Sequence, residues 1–175
     1  MRKRIVAAID GSENAKRAIE AAGDLAKVYE AKLYLVHVIG SGAIPPALAR
    51  MAEIEQLTGT RRPARAQNVA NVFGNLATAE RAADSPVVAY EIHHALGERL
   101  LKNAAKLAQE KGAQSPEVML SEGDPAQAIL DAAKKFEADL IVLGTRGLSD
   151  LKGLLLGSVS HRVIQFSPCA CMLVK

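Results

Sequence analysis

The sequence predicts an α/β protein, a parallel sheet with helices on both faces. Three observations carry this. Short runs rich in Val, Ile and Leu recur along the chain, as in strands buried on both faces. Longer segments of helical periodicity stand between them. The two kinds alternate, which is the order of βαβ units. A length of 175 residues fits one domain, and no internal repeat or low-complexity segment interrupts it.

The first strand is "RIVAAID", Arg4 to Asp10. In "GSENAKRAIEAAGDLAKVYEA", residues Ala15, Ala18, Ile19, Ala22, Leu25, Ala26 and Tyr29 recur at helical spacing, with Ser12 as N-cap. "KLYLVHVIG" is the second strand. From Gly40 to about Ser85 the periodicity weakens. "PPALARMAEIEQL" reads as a short helix, and "TGTRRPARAQ", with Arg61, Arg62 and Arg65, as a loop. That loop suits either plain solvation or a basic lid or partner contact. The organisation is thus a single domain over 1–175 with a long insertion at about 40–85.

"VVAYEIHHALGERLLKNAAKLAQEKG" is a long helix with Ala89, Ile92, Leu96, Leu100, Ala104 and Leu107 on one face, stopped by Gly112. "SPEVMLSEG" is the third strand. "DPAQAILDAAKKFEA" starts a helix with Asp124 at N-cap, Pro125 at N1 and Gln127 at N3, the arrangement of a capping box. Ile129, Ala132, Ala133 and Phe136 form its stripe. "DLIVLG" is the fourth strand, a short helix runs from about Ser158 to Phe166, and "CACMLVK" is the fifth strand.

Composition narrows the function. Twenty-two basic and 19 acidic residues leave a net charge of +3, too balanced for a protein that coats nucleic acid. Three Tyr, three Phe and no Trp supply no base-stacking platform. No apolar stretch of about 18 residues or more spans a membrane. The apolar run before Asp10 is too short for a signal segment, so a cytoplasmic setting is expected. Cys169 and Cys171 point to one face of a strand and read as neighbouring buried residues, with a metal or redox pair as the alternative.

The chemistry concentrates in "GTRGLSDLKGLLLGSVSHRV", Gly144 to Val163. Gly157-Ser158 stands where the last helix begins. Helix starts present unpaired N–H groups and partial positive charge, and glycine allows an anion close approach. The Ser158 hydroxyl is a further donor, and Arg146 and Lys152 bring charge. Neither the P-loop nor the G-x-G-x-x-G fingerprint is present. A ligand-free connection packed down by the leucines of "LKGLLLG" explains the same residues. Asp10-Gly11-Ser12, His37-Val38 and Gly123-Asp124 end other strands, where open parallel sheets bind ligands.

Gly144-x2-Gly147-x9-Gly157-Ser158, the tail "GSVSHRVIQFSPCACMLV", "AAIDGSENAKRAI" and "EGDPAQAI" together resemble the ATP-binding members of the universal stress protein family over almost the whole chain. The resemblance implies an open five-stranded parallel sheet of order 3-2-1-4-5, Rossmann-like. Strands one and four are then neighbours, with Asp10 facing the Gly144 loop. By matching position, Val38 lends backbone groups to an adenine edge and Ile9 walls its pocket. Asp10 holds a ribose hydroxyl or a metal, and Gly123 admits the ribose side. Gly144, Gly147, Gly157, Ser158, Val159 and Ser160 hold phosphates. ATP with Mg²⁺ bridging its phosphate oxygens is the implied ligand. The insertion at 40–85 departs from the family pattern.

For Asp10 the plain alternative is capping the first helix together with Ser12. His161 reads as a surface or packing residue, His37 as a satisfied buried histidine, and His93 and His94 point apart on their helix. No catalytic triad or carboxylate pair is evident. Two functions fit: an ATP-dependent sensor in stress physiology with at most slow hydrolysis, or a nucleotide-independent interaction protein with an unidentified protein partner. A homodimer through the apolar last strand, 170–174, is expected in either case.

Overall fold

The computed structural model describes residues 3–39, 86–148 and 156–175. The readings made for 40–85, and for Lys152 and Leu151, Leu154 and Leu155, lie outside the described residues. Among those described, the elements run β1 (Arg4–Ile9), α1 (Glu13–Val28), β2 (Lys32–Ile39), α2 (Pro86–Glu110), β3 (Glu117–Glu122), α3 (Pro125–Lys135), β4 (Leu140–Gly144), α4 (Ser158–Phe166) and β5 (Ala170–Val174). The strands form one all-parallel sheet in the order β3-β2-β1-β4-β5.

Side-chain alternation divides the core. Ile5, Ala7 and Ile9 of β1, with Leu33, Leu35 and Val142, pack against Ala18, Ile19, Ala22 and Ala26 of α1 and Leu101, Ala104 and Ala108 of α2. Ile141 and Leu143 pack with Ala126, Ile129, Leu130 and Ala133 of α3 and Val163 of α4. Val6, Tyr34 and Val36 meet Ala132. Strands covered on both sides carry continuous apolar sequence, which is why β1, β2 and β4 were legible as strands.

Local signals set the helix ends. The Ser12 hydroxyl accepts from the Ala15 amide at 3.2 Å, and Asp124 accepts from the Gln127 amide at 2.8 Å. The expected capping box forms only this half. The Gln127 side chain instead donates to Asp131 one turn on, at 2.9 Å. After α2, Gly112 takes φ +105°, the left-handed conformation that glycine adopts without strain.

Some packing departs from the periodicity. Tyr29 is exposed because α1 ends at Val28 and Tyr29 is its C-cap. Gly23 is buried on α1: a Cβ there would stand 2.7 Å from the Lys111 Cβ and 3.0 Å from the Ala108 carbonyl oxygen. The α1 helix therefore meets the end of α2 through glycine and alanine. Cys169 and Cys171 are free and half-buried rather than fully buried, because β5 is an edge strand and Cys169 precedes it. Burial pushes the Cys169 thiol up, against a lowering contact from Ser167.

The chain divides into two compact units, residues 1–41 with 99–175, and residues 42–98. In the second unit the described residues are the first half of α2. There His94 Nδ1 lies 3.6 Å from Glu98 in an i,i+4 pair. The first unit contains the whole sheet.

The Gly23 contact yields a direct expectation. Gly23→Val would force α1 and α2 apart and should lower unfolding stability by about 1–3 kcal/mol in urea titration. An unchanged midpoint would show that the helices separate without cost.

Candidate functional site

The site is built where β1 and β4 lie side by side. After β1 the chain enters α1, which packs with one core cluster; after β4 it leads to α4, whose Val163 belongs to the other. Loops that part in this way leave a crevice beyond the carboxyl ends of the strands.

The β1 exit is a tight turn. Gly11 takes φ +85°, and an Asp10 carboxylate oxygen accepts from the Ser12 amide at 2.9 Å. The Ser12 hydroxyl donates to the Arg146 carbonyl at 3.4 Å, and the Asn14 side-chain amide donates to the Thr145 hydroxyl at 3.3 Å. These bonds join the β1–α1 turn to the β4 exit.

Gly144 is required by that junction, and Gly147 lies close beside the rotatable Asp10 carboxylate. A Cβ on Gly144 would stand 2.9 Å from the Asn14 Cβ and 3.0 Å from the Ala15 amide nitrogen. A Cβ on Gly147 would collide with the Asp10 carboxylate. Gly157 differs. Its φ of −75° suits any residue, and a Cβ there would meet nothing closer than the Arg146 Cα at 3.5 Å. Neither its conformation nor the described packing calls for glycine.

Gly157 is the N-cap of α4 and makes no side-chain cap. Its own amide donates to the Thr145 carbonyl at 2.8 Å. The buried Ser160 hydroxyl donates to the Gly144 carbonyl at 2.8 Å. Intrahelical bonding begins with the His161 amide on the Gly157 carbonyl at 3.0 Å. The amides of Ser158, Val159 and Ser160 therefore lack intrahelical acceptors, at the positive end of the helix. Ser158 is exposed, Val159 and Arg146 are half-buried, and His161 is exposed as expected.

The remaining strand exits lie on the other side of β1 from β4. Ile9 is buried, and its carbonyl lies 2.7 Å from His37 Nδ1. Burial lowers the His37 pKa, opposed by the Ile9 carbonyl contact and the Asp10 charge. The neutral ring thus carries its proton on Nδ1 and donates it to Ile9, so His37 is a satisfied buried histidine. Val38 is half-buried near the end of β2, in register with Ser121 of β3. Gly123 follows β3 at φ +100°, and its amide donates to the Ile39 carbonyl at 3.2 Å.

Ile9, Asp10, Gly144, Arg146, Gly147 and the first turn of α4 thus gather at the β1/β4 exits, with Val38 and Gly123 on the β2 and β3 side. Thr145, Asn14 and Arg162 were not singled out from sequence. Thr145 is a hub: its amide donates to the Val174 carbonyl at 2.8 Å, while its carbonyl and hydroxyl receive the bonds from Gly157 and Asn14. Nothing in a motif marks such a role, because two of its three partners, Asn14 and Val174, come from distant segments. Among the described residues no group of three or more His, Cys, Asp or Glu could hold a metal by itself. No described helix is long and apolar enough to cross a membrane.

The sequence pattern of the Universal stress protein family matches residues 1–175. Universal stress protein YxiE of Bacillus subtilis (strain 168) is 34% identical over 175 residues, covering 100% of both chains. Among solved structures, universal stress protein UspA from Lactobacillus plantarum superposes with a TM-score of 0.66 at 21% identity, covering 100% of this chain and 99% of that one, a likeness of fold. A crystal structure of a universal stress protein in complex with cAMP gives a TM-score of 0.57 at 25% identity, covering 99% and 96%.

Two expectations follow from the geometry. Gly144→Ala, which would drive into the Asn14 and Ala15 backbone, should lower stability by about 1–3 kcal/mol, whereas Gly147→Ala, which meets only the rotatable Asp10 carboxylate, and Gly157→Ala, at an N-cap, should each cost about 1 kcal/mol or less. Equal losses in chemical denaturation would contradict the difference in packing. His37, with its folded pKa below the unfolded 6.5, contributes stability that is present above pH 6.5 and is lost as pH falls through the folded value. His37→Gln should flatten that decline in melting temperature; an identical slope would assign it to other groups.

Proposed function

This chain belongs to the universal stress protein family, and from that premise we propose that it binds an adenine nucleotide, ATP with Mg²⁺, in the β1/β4 crevice. It acts as a nucleotide-dependent regulator in the stress response, in the cytoplasm. One observation carries the reading: Gly157 is a glycine that neither its conformation nor the described packing requires, beside a helix start whose amides lack intrahelical acceptors. A Cβ would occupy space that an anion needs, and the helix start is where an anion is stabilised. The cAMP complex of the 25% identical relative supports an adenine guest.

In this reading the Ser158, Val159 and Ser160 amides receive phosphate oxygens, and Arg146 supplies charge. The Gly157 amide and the Ser160 hydroxyl act indirectly, by holding the start of α4 against β4. Val38 and Ile9 face the base, and Gly123 lies on the ribose side. One Asp10 oxygen is bonded to the Ser12 amide; the other, beside Gly147, suits a ribose hydroxyl or a hard cation. Among the described residues no carboxylate or imidazole cluster would complete a metal site, so phosphate oxygens and water would serve as the cation's other ligands. Among the described residues no side chain is evident as a base to position water, which fits slow hydrolysis at most.

A second reading, a nucleotide-independent interaction protein, is favoured by β5. It is an edge strand bearing exposed Met172, a surface suited to pairing with a second copy along 170–174. Sedimentation equilibrium should give a dimer that Met172→Lys weakens.

Isothermal titration of protein stripped of nucleotide tests the first reading. ATP with Mg²⁺ should bind, and Gly157→Ala should weaken it about tenfold, or 1.4 kcal/mol, with the fold retained. Absence of binding at about millimolar ATP would leave the interaction reading in its place.

A further inference from the structure

We propose that Arg162 is a positioning residue of the phosphate site. Acting through Asp124, it sets the first turn of α4 relative to the exits of β2 and β3. This rests on the nucleotide reading above and names a group outside the motif on which that site depends.

The geometry is a relay of short contacts. The Ile39 carbonyl at the end of β2 receives the Gly123 amide at 3.2 Å. Gly123 leads directly to Asp124, and the two carboxylate oxygens of Asp124 are divided. One accepts from the Gln127 amide at 2.8 Å and caps α3; the other accepts from the Arg162 guanidinium at 2.7 Å. Arg162 lies one turn beyond Ser158. The base side and the phosphate side of the crevice are therefore joined through Asp124.

The other attachments of α4 explain why this one matters. The Gly157 amide and the Ser160 hydroxyl bond carbonyls of the β4 exit, and Val163 packs among Ile141 and Leu143 of the sheet and Ala126, Ile129, Leu130 and Ala133 of α3. Apolar packing on one side of a nine-residue helix still lets it roll about its axis. The Arg162 contact ties it sideways to α3. Such a roll would re-aim the amides of Ser158 and Val159, while base contacts would be unaffected. The Gln127 amide and the Arg162 guanidinium also hold the Asp124 carboxyl below its usual range, so the pair stays charged at neutral pH. Because Asp124 already engages the guanidinium, Arg162 acts on the phosphates through helix placement. Exposed pairs contribute little to global stability, so the effect should appear in binding.

The test uses the full chain, stripped of nucleotide, as wild type, Arg162→Gln, Arg162→Lys, Asp124→Asn and the Asp124→Asn/Arg162→Gln double variant. Asparagine retains the α3 cap and removes the charge. Titration with ATP and Mg²⁺, and separately with adenosine, is paired with hydrogen exchange of the 158–160 amides in the free protein. Arg162→Gln and Asp124→Asn should each weaken ATP about two- to fivefold, the span open to an exposed pair, with adenosine unchanged. Arg162→Lys should recover most of the loss, and the double variant should be no worse than either single one. The 158–160 amides should exchange faster in Gln and Asn variants. An equal loss for adenosine, unchanged amide exchange, or tighter ATP binding by Asp124→Asn would overturn the proposal, the last by making Arg162 a direct phosphate contact. If wild type binds neither ligand, the nucleotide reading fails, and amide exchange still decides whether Arg162 places α4.

Discussion

The close approach of the β4 exit to the start of α1 is the constraint on which the rest depends. Gly144 has to pass the Asn14 Cβ and the Ala15 amide, and Gly147 has to pass the Asp10 carboxylate. A side chain at Gly144 would separate the two segments, and one at Gly147 would turn the Asp10 carboxylate aside. Once they meet, Thr145 can engage Asn14, Val174 and Gly157 together. The place where α4 begins follows from that engagement.

This gives the glycine motif two physical roles. Gly144 and Gly147 bring the protein close to itself, and Gly157 is a helix N-cap whose φ and described packing do not require glycine. The same division holds for hydrogen bonds. The Gly157 amide and the Ser160 hydroxyl are committed to carbonyls of the β4 exit, whereas the next amides in α4 have no acceptor within the helix. A rigid frame with a few free donors is the condition for anion recognition, because donors fixed in advance lose little entropy on binding.

Much of the fold was legible because its signals are local. Continuous apolar runs marked β1, β2 and β4, Ser12 and Asp124 marked helix starts, and Gly112 marked a helix end. The departures came where tertiary neighbours overrode periodicity: Gly23 buried against α2, Tyr29 left outside, and Gln127 turned toward Asp131. For the site, the motif and the strand ends could be named, and the resemblance paired β1 with β4. Asn14 and Thr145 stayed hidden because they are partners 131 residues apart in the chain. Arg162 stayed hidden because its partner lies on another helix.

By itself the sequence determined the α/β class, the alternation of strands and helices, the helix caps and the glycine spacing. Each of these is written in windows of a few residues, through side-chain periodicity and backbone freedom. Only the tertiary structure decided which motif glycines the packing of the protein requires, and which donors are already committed to carbonyls of the β4 exit. Those questions concern distances between segments far apart in the chain, and such distances exist only after the sheet has brought β1 and β4 together.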